Sequence, residues 1–268
     1  MEKYAVAIDG KIKEDKIYEA HQYAMSMARR IRKKDPSLAL ELLSYAILKL
    51  SPFEDTLEIA KYPLVMAKED TDLTKDVVNF CVDATLNWGT NCDWILEWDK
   101  VCIQFNNQQG NSNDIPTAFA VKYLSLGLLE QAKVHLKVCP LNVLFKAIEL
   151  LNKQQVPAYK KVEYYELISV CVMLLAEERT ECAAIFTEEI LKKELYLKEK
   201  EIFEILYAMA RVGNDQSDKK SWIRLRMMLD SRIGSEYKPT LDLAAHKLFQ
   251  MPYQKQMTMS DMMKSMMG

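Results

Sequence analysis

The sequence has few of the residues that interrupt helices: seven glycines and eight prolines among 268 residues. It also has no long stretch in which apolar and polar residues alternate, the pattern of a half-buried strand. Leucine, lysine, glutamate, alanine and methionine dominate instead, and most of these are good helix formers. These features predict an all-α fold without a sheet.

Long apolar runs and an excess of one charge are also missing. The longest apolar run, from Leu167 to Ala176, is about half of the ~20 residues that a membrane-spanning helix needs. The 36 basic residues nearly balance the 38 acidic ones, so no overall field attracts nucleic acid or an anionic membrane. We therefore expect no membrane span and no nucleic-acid partner.

The usual catalytic and metal-binding patterns are absent. Only three histidines occur, none of them in HExxH or a zinc-binding spacing, and no GxxxxGK[ST], GxGxxG or GxSxG motif is present. The six cysteines lie far apart without a CxxC pair, which is typical of free thiols in the cytosol. His21 falls on an apolar helix face, where a core histidine is the favoured interpretation. The sequence predicts a non-enzymatic protein with no metal and no cofactor.

Apolar residues recur at spacings of three and four along nearly the whole chain, as in the stripe from Ile17 to Ile31. Helix starts lie roughly 15 to 24 residues apart, so two helices make a unit of about 35 to 40 residues, the length of a tetratricopeptide-like hairpin. We predict one α-solenoid of antiparallel helix hairpins over residues 1–268. Its candidate hinge is the polar loop 106–114, and Gly127 is a small residue where two helices cross closely. Breaks are predicted at 35–36, 51–52, 70–71, 89–91, 106–114, 139–140, 155–157, 178, 196, 213–217 and 234–239.

Five cations in six residues, RRIRKK from Arg29 to Lys34, end the second predicted helix. Cations at a helix carboxyl end complement the helix dipole, and this explanation needs no partner. Five exceed what capping requires, so docking of an acidic partner surface is weighted equally. A nuclear-localisation signal is a minor third interpretation.

Seven of the fifteen methionines lie in the last 18 residues, from Met251 to Met267. Methionine repacks against varied apolar surfaces, so this tail could act as a lid over a hydrophobic client. A terminal cap of the helical stack is the simpler explanation, and we favour it.

The string YEAHQ at residues 18–22 and several later segments resemble the Golgi-to-ER traffic protein four family. The stretch 11–22, KIKEDKIYEAHQ, resembles the family's first helical hairpin, with YEAHQ as its most recognisable string. Residues 39–48 are similar to its third helix, and Ile115-Pro116 followed by 129–136 to a later helix and hairpin. The stretch 248–256 and the methionine-rich end resemble its final helix and apolar tail.

This resemblance implies an α-solenoid adaptor in the cytosolic targeting of tail-anchored membrane proteins to the endoplasmic reticulum. The N-terminal half, about 1–110, would dock the pathway's targeting ATPase. The C-terminal half, about 115–250, would bind a ubiquitin-like-domain protein, with a large ubiquitin-like scaffold protein as a further partner, and 251–268 is the tail. Arg30 matches a family arginine and Asp55 lies within one position of a family aspartate. The ATPase-facing candidates are Lys11, Lys13, Glu19, Arg29, Arg30, Arg32 and Asp55, of which Lys11, Lys13, Arg29 and Arg32 are chosen for their charge alone. The candidates for the ubiquitin-like partner are Phe249, Pro252, Lys255 and Gln256.

One departure from the family lies between Lys192 and Lys200, where some members insert a β-hairpin that holds the ubiquitin-like partner. This chain has only a short charged stretch there, so we expect no such hairpin. The alternative function is that of a generic helical-repeat subunit of another cytosolic assembly, of the proteasome-lid, coat or fusion-adaptor type. An enzyme on a helical scaffold would require a cluster of buried polar groups.

Overall fold

A computed structural model describes residues 1–53, 56–87, 95–109, 112–153, 163–193, 199–216 and 218–253, with the backbone alone for 150–153, 163 and 164. Within these ranges every regular element is helical, with fourteen α-helices, two 3-10 helices and no strand. The prediction of an all-α fold is confirmed. The chain divides into two compact units, Met1–Leu128 and Leu129–Gly268.

Unit 1 is built from helices that follow one another closely and pack as antiparallel neighbours. Helices adjacent in sequence contact each other, and the third and seventh helices also pack on the fifth. Most of the connections are short, which reverses the chain direction between helices of this length. The helices are α1 Glu2–Lys13, α2 Ile17–Ile31, α3 Pro36–Leu50, α4 Leu57–Glu69, α5 Thr74–Asn87, α6 Ile95–Gln109 and α7 Asp114–Ser125.

Unit 2 follows the same plan around a central tenth helix. That helix contacts the eighth, eleventh, twelfth and fourteenth, and the twelfth packs on both of its neighbours in sequence. The helices are α8 Leu129–Leu136, α9 Leu141–Lys153, α10 Glu163–Ala176, α11 Thr180–Lys192, α12 Lys200–Asp215, α13 Lys219–Asp230 and α14 Lys238–Phe249.

Several predicted helix boundaries are confirmed by their local chemistry. The Asp35 carboxylate accepts a hydrogen bond from the Leu38 amide at 2.9 Å, and Pro36 occupies the first turn of α3. Both features are typical of a helix start. The apolar stripe predicted from Ile17 to Ile31 coincides with α2, and its buried side chains include Ala20, His21 and Ala24.

Two predicted breaks occur, but each begins later in the chain than expected. Helix α6 continues through residues 106–109, and the Asn106 side chain is buried and hydrogen bonded to both the amide and the carbonyl of Ser112. The polar residues thus extend the helix, and the loop 106–114 lies within unit 1. Gly213 lies inside α12, which continues to Asp215, because a glycine there allows α11 and α14 to approach closely.

Gly127 forms the turn that ends α7. Its φ is 73°, and the Leu128 amide donates to the Tyr123 carbonyl at 2.9 Å while the Gly127 amide donates to the Leu124 carbonyl at 3.2 Å. This pair of bonds is the Schellman motif, which needs a left-handed residue and therefore favours glycine. The turn therefore favours glycine at this position.

The same motif occurs after α10 with a residue that has a Cβ atom. Glu178 has a φ of 59°, and the amides of Arg179 and Glu178 donate to the carbonyls of Leu174 and Leu175. A left-handed conformation is unfavourable for an L-residue other than glycine. The backbone at Glu178 is therefore strained.

We expect Glu178→Gly to raise the free energy of unfolding by about 0.5–1 kcal/mol, because the strain it removes exceeds the extra freedom of glycine in the unfolded chain. Urea unfolding followed by circular dichroism measures the change. Glu178→Ala is the matched control, since it removes the exposed carboxylate but keeps the Cβ atom. Equal stability of the glycine and alanine variants would contradict the explanation.

A buried region of unit 2 brings four helices together around Gly213. A Cβ atom built at Gly213 would lie 2.9 Å from Thr180 Cγ2, 3.1 Å from Leu248 Cδ1 and 3.6 Å from Trp222 Cζ3. Trp222 is fully enclosed, and its ring centroid lies 5.2 Å from that of Phe249. The absence of a side chain at one position of α12 thus sets the packing of α11, α13 and α14.

One arginine joins two turns of unit 2. Arg179 donates from Nη1 to the Lys137 carbonyl at 2.6 Å and from Nη2 to the Cys139 carbonyl at 2.7 Å, and its Nη2 also lies 3.3 Å from Cys182 Sγ. The guanidinium therefore binds the chain just after α8 to the chain just before α11. Half-buried carbonyls at the end of a helix need such donors.

The described cysteines are free thiols. Cys81, Cys102, Cys139 and Cys171 are buried and Cys182 is partly exposed, while Cys92 lies outside the described residues. Burial raises the pKa of the Cys171 thiol to about 12. These side chains pack as small apolar groups, as the sequence predicts.

Candidate docking surface

The basic run lies where α2 ends, and α4 holds two of its arginines in place. The guanidinium carbons of Arg29 and Arg32 lie 5.7 Å and 5.6 Å from the centroid of the Tyr62 ring. Arg32 Nη1 is 2.9 Å from a carboxylate oxygen of Glu69. Cation–π contacts and an ion pair therefore join the end of α2 to α4.

The other three cations of the run are exposed. Arg30, Lys33 and Lys34, here called the basic edge, make no ion pair within 4.0 Å to any residue that the structure describes. The helix dipole explains a preference for cations in this last turn. The interaction with the dipole leaves the N–H groups of these side chains available to donate hydrogen bonds to carboxylates of another protein.

Lys11, Lys13 and Glu19 lie at the opposite end of the first hairpin. Lys11 Nζ is 2.8 Å from Glu19 Oε2, and this hydrogen bond lowers the pKa of the Glu19 carboxyl. Lys13 is exposed at the end of α1. Glu19 and Arg29 are ten residues apart on one helix, or about 15 Å along its axis. The candidates in the described part of the chain therefore form two groups, while Asp55 lies outside it.

Sequence reasoning missed Tyr62 and Glu69 as neighbours of the basic run. Each is some thirty or more residues away from its arginine partner in the chain, and neither belongs to a motif. The only available signal was the antiparallel arrangement of α2, α3 and α4, which places the ends of α2 and α4 side by side.

The end of α14 carries the candidates proposed for the second partner. Phe249 is 8% exposed and packs on Trp222, so its ring offers little surface to a partner. Pro252 is exposed. His246 Nδ1 donates a hydrogen bond to the Met251 carbonyl at 2.8 Å, and the His246 and Tyr253 rings stack with centroids 5.7 Å apart. These contacts hold residues 251–253 against α14, and Lys255 and Gln256 lie outside the described residues.

A partly buried charge cluster joins α8 to α10 in unit 2. Lys133 Nζ lies 2.5 Å from Glu130 Oε1 and 2.9 Å from Glu166 Oε2. Burial raises the pKa of the Glu166 carboxyl, and a hydrogen bond with Glu130 adds to this shift. Both carboxylates contact the same ammonium group, so the cluster forms an ion triad that links two helices.

The structure adds three observations on the other expectations. The described residues contain no group of three or more His, Cys, Asp or Glu side chains that could hold a metal ion. Among the same residues, no helix has both the length and the apolar character needed to cross a membrane. Residues 194–198, where the β-hairpin of some family members would lie, are outside the described ranges, and only seven residues separate α11 from α12.

Sequence comparisons give no relative: no protein-family model matches the chain, and neither does any curated protein. Comparison with solved structures does find a similar protein. The crystal structure of Get4 from C. therm. superimposes with a TM-score of 0.71, covering 100% of this chain and 95% of that one at 13% sequence identity. Agreement over the full length at such low identity is evidence about the fold. The chain has the fold of Get4.

Proposed function

We propose that this chain is a divergent member of the Golgi-to-ER traffic protein four family and works as a non-enzymatic adaptor in the cytosol. Its role is to bridge the targeting ATPase of the tail-anchored protein pathway and a ubiquitin-like-domain protein. The observation that carries the proposal is the likeness to Get4 along the whole chain. The YEAHQ string in α2 and the similar C-terminal segment support it independently.

For the ATPase contact we propose the basic edge, Arg30, Lys33 and Lys34. These side chains are exposed and carry no ion pair to a described residue, so pairing with an acidic surface requires no internal contact to break. Arg29 and Arg32 contribute indirectly, since their contacts with Tyr62 and Glu69 fix the end of α2. Lys11, Lys13, Glu19 and Asp55 remain further candidates.

For the second partner we propose the surface at the end of α14. Pro252 is exposed there, and the contact of His246 with the Met251 carbonyl positions the chain that leads to Lys255 and Gln256. Phe249 stabilises this surface by packing on Trp222. A ubiquitin-like-domain protein is the proposed occupant, with the large ubiquitin-like scaffold protein as a further one.

The experiment compares binding of the targeting ATPase from the same cell to the unmodified chain and to Arg30→Glu. We expect Arg30→Glu to weaken binding about five- to tenfold at low ionic strength, because a cation that pairs across the interface becomes a like charge. Isothermal titration calorimetry measures the change. The effect should shrink as salt is added.

Arg211→Glu is the matched control, since Arg211 is exposed on α12 and has no ion pair to a described residue. Its binding should stay within about twofold of the unmodified chain. Undiminished binding by Arg30→Glu would remove the basic edge from the proposal. Purification of the chain from its own cell without the ATPase and without a ubiquitin-like protein would refute the adaptor role and favour another helical assembly.

A further inference from the structure

Unit 1 contains a groove that the proposed function does not use. It has a volume of about 530 Å³ and lies between the start of α1, the middle of α3 and the end of α5. Its lining residues on α3 run from Glu41 to Leu48, about 10 Å along the helix axis or two turns of a docked helix. The groove is therefore long enough for a short helical segment.

The floor of this groove is apolar. Ala5, Ile47, Leu48 and Ala84 line the cavity. Leu48 is 51% exposed, so the floor is open to a ligand on its α3 side. An open apolar floor two helical turns long suits a helical segment of another protein.

The charged side chains that line the groove are all acidic. Glu2, Glu41 and Asp83 line it, and none of them pairs with a cation in the described part of the chain. No lysine, arginine or histidine belongs to the lining. Lys49 on α3 is not a lining residue, but its Nζ lies 5.5 Å from the centroid of the Tyr45 ring, which does line the groove. Each carboxylate sits on a different helix, so the negative charge surrounds the floor.

A hydrogen bond fixes the wall of the groove that carries Tyr45. The Tyr45 hydroxyl donates to the Asp9 carboxylate at 2.8 Å, and this bond links α3 to α1. A groove whose walls are joined in this way loses little conformational entropy when a ligand binds.

We propose that this groove binds a basic amphipathic helix of a partner protein. Apolar residues spaced three and four apart would cover the Ala5, Leu48 and Ala84 floor, and lysines or arginines on both flanks would pair with Glu2, Glu41 and Asp83. The site is independent of the basic edge, which has the opposite charge and lies at the end of α2.

The test uses the full chain and a fluorescein-labelled helical peptide of about 14 residues, with leucines at i, i+3, i+4 and i+7 and lysines at the other positions. Fluorescence anisotropy at low ionic strength measures its affinity. We expect binding that weakens at least about fivefold in Glu41→Lys and in Asp83→Lys, because each places a like charge beside the peptide's lysines. Leu48→Ala should weaken it as well, through the loss of floor area.

Two controls make the test specific. Glu149→Lys makes the same charge change at an exposed position of α9 and should alter the affinity less than about twofold, and Arg30→Glu should not weaken it. A peptide with glutamate in place of every lysine should not bind. The proposal is overturned if the lysine peptide fails to bind, if Glu41→Lys and Asp83→Lys bind it as the unmodified chain does, or if Glu149→Lys loses as much affinity as they do. Circular dichroism melts and the milder Glu41→Gln variant, expected to fall between, separate a local effect from unfolding.

Discussion

Replacing Arg179 with methionine is expected to lower the free energy of unfolding of unit 2 by about 3 kcal/mol. Methionine keeps most of the aliphatic stem but removes two charge-assisted hydrogen bonds, to the carbonyls of Lys137 and Cys139. Both carbonyls then lose donors that little water can replace, because the site is partly buried. Hydrogen bonds to charged groups contribute about 1.5–3 kcal/mol each, and relaxation of the two turns recovers part of the sum.

Urea denaturation of unit 2 measures this change, with Arg211→Met as the control for loss of an exposed arginine. Arg211 makes no ion pair to a described residue, so its replacement should change stability by less than about 0.5 kcal/mol. Arg179→Lys should fall between, since an ammonium group reaches one of the two carbonyls but lacks the fork. A loss below about 1 kcal/mol in Arg179→Met would show that the two turns are held by other contacts.

Gly213→Ala is expected to destabilise unit 2 by about 2 kcal/mol, although alanine is the better helix former. The added methyl group would lie 2.9 Å from Thr180 Cγ2 and 3.1 Å from Leu248 Cδ1, so α11 or α14 must move. The first of these atoms belongs to a β-branched side chain with little freedom to turn away. Overpacking of this kind outweighs the helix-propensity gain of about 1 kcal/mol.

Thr180→Ser provides the matched test, because it deletes the atom nearest to the new methyl group and keeps the hydroxyl that lies 3.3 Å from Asn214 Oδ1. In the Thr180→Ser background, Gly213→Ala should lose most of its destabilising effect. Gly10→Ala in α1, where an added Cβ atom has no neighbour within 4 Å, should instead raise stability by about 0.5–1 kcal/mol. An unchanged effect of Gly213→Ala in both backgrounds would contradict the steric explanation.

The sequence was most informative where one residue type determines local geometry. Asp35 and Pro36 predicted the start of α3 because a capping carboxylate and a fixed φ act within one turn. The stripe from Ile17 to Ile31 predicted α2 because burial of one helix face imposes its period on the sequence. Local signals of this kind are sufficient for the all-α fold.

The predicted start of a break was wrong where a distant contact decides the conformation. A break was predicted from Gly213, but α12 continues to Asp215, because the contacts with Thr180 and Leu248 require a glycine inside the helix. Asn106 was predicted to lie in a loop, but it belongs to α6, where its side chain is buried and hydrogen bonded to Ser112. For the same reason the clustering of the basic run predicted a basic docking surface. It did not indicate which cations of the run would contact Tyr62 and Glu69.

The alkylation rates of the buried thiols can be measured for each unit separately. Cys81 and Cys102 lie inside unit 1, whereas Cys139 and Cys171 lie inside unit 2, and burial raises the pKa of both the Cys102 and the Cys171 thiol. A thiol that is enclosed and protonated reacts with a labelling reagent only after its surroundings open. The rate at which each pair is alkylated therefore reports the opening free energy of its own unit, so that damage to one unit can be distinguished from damage to the other within a single chain.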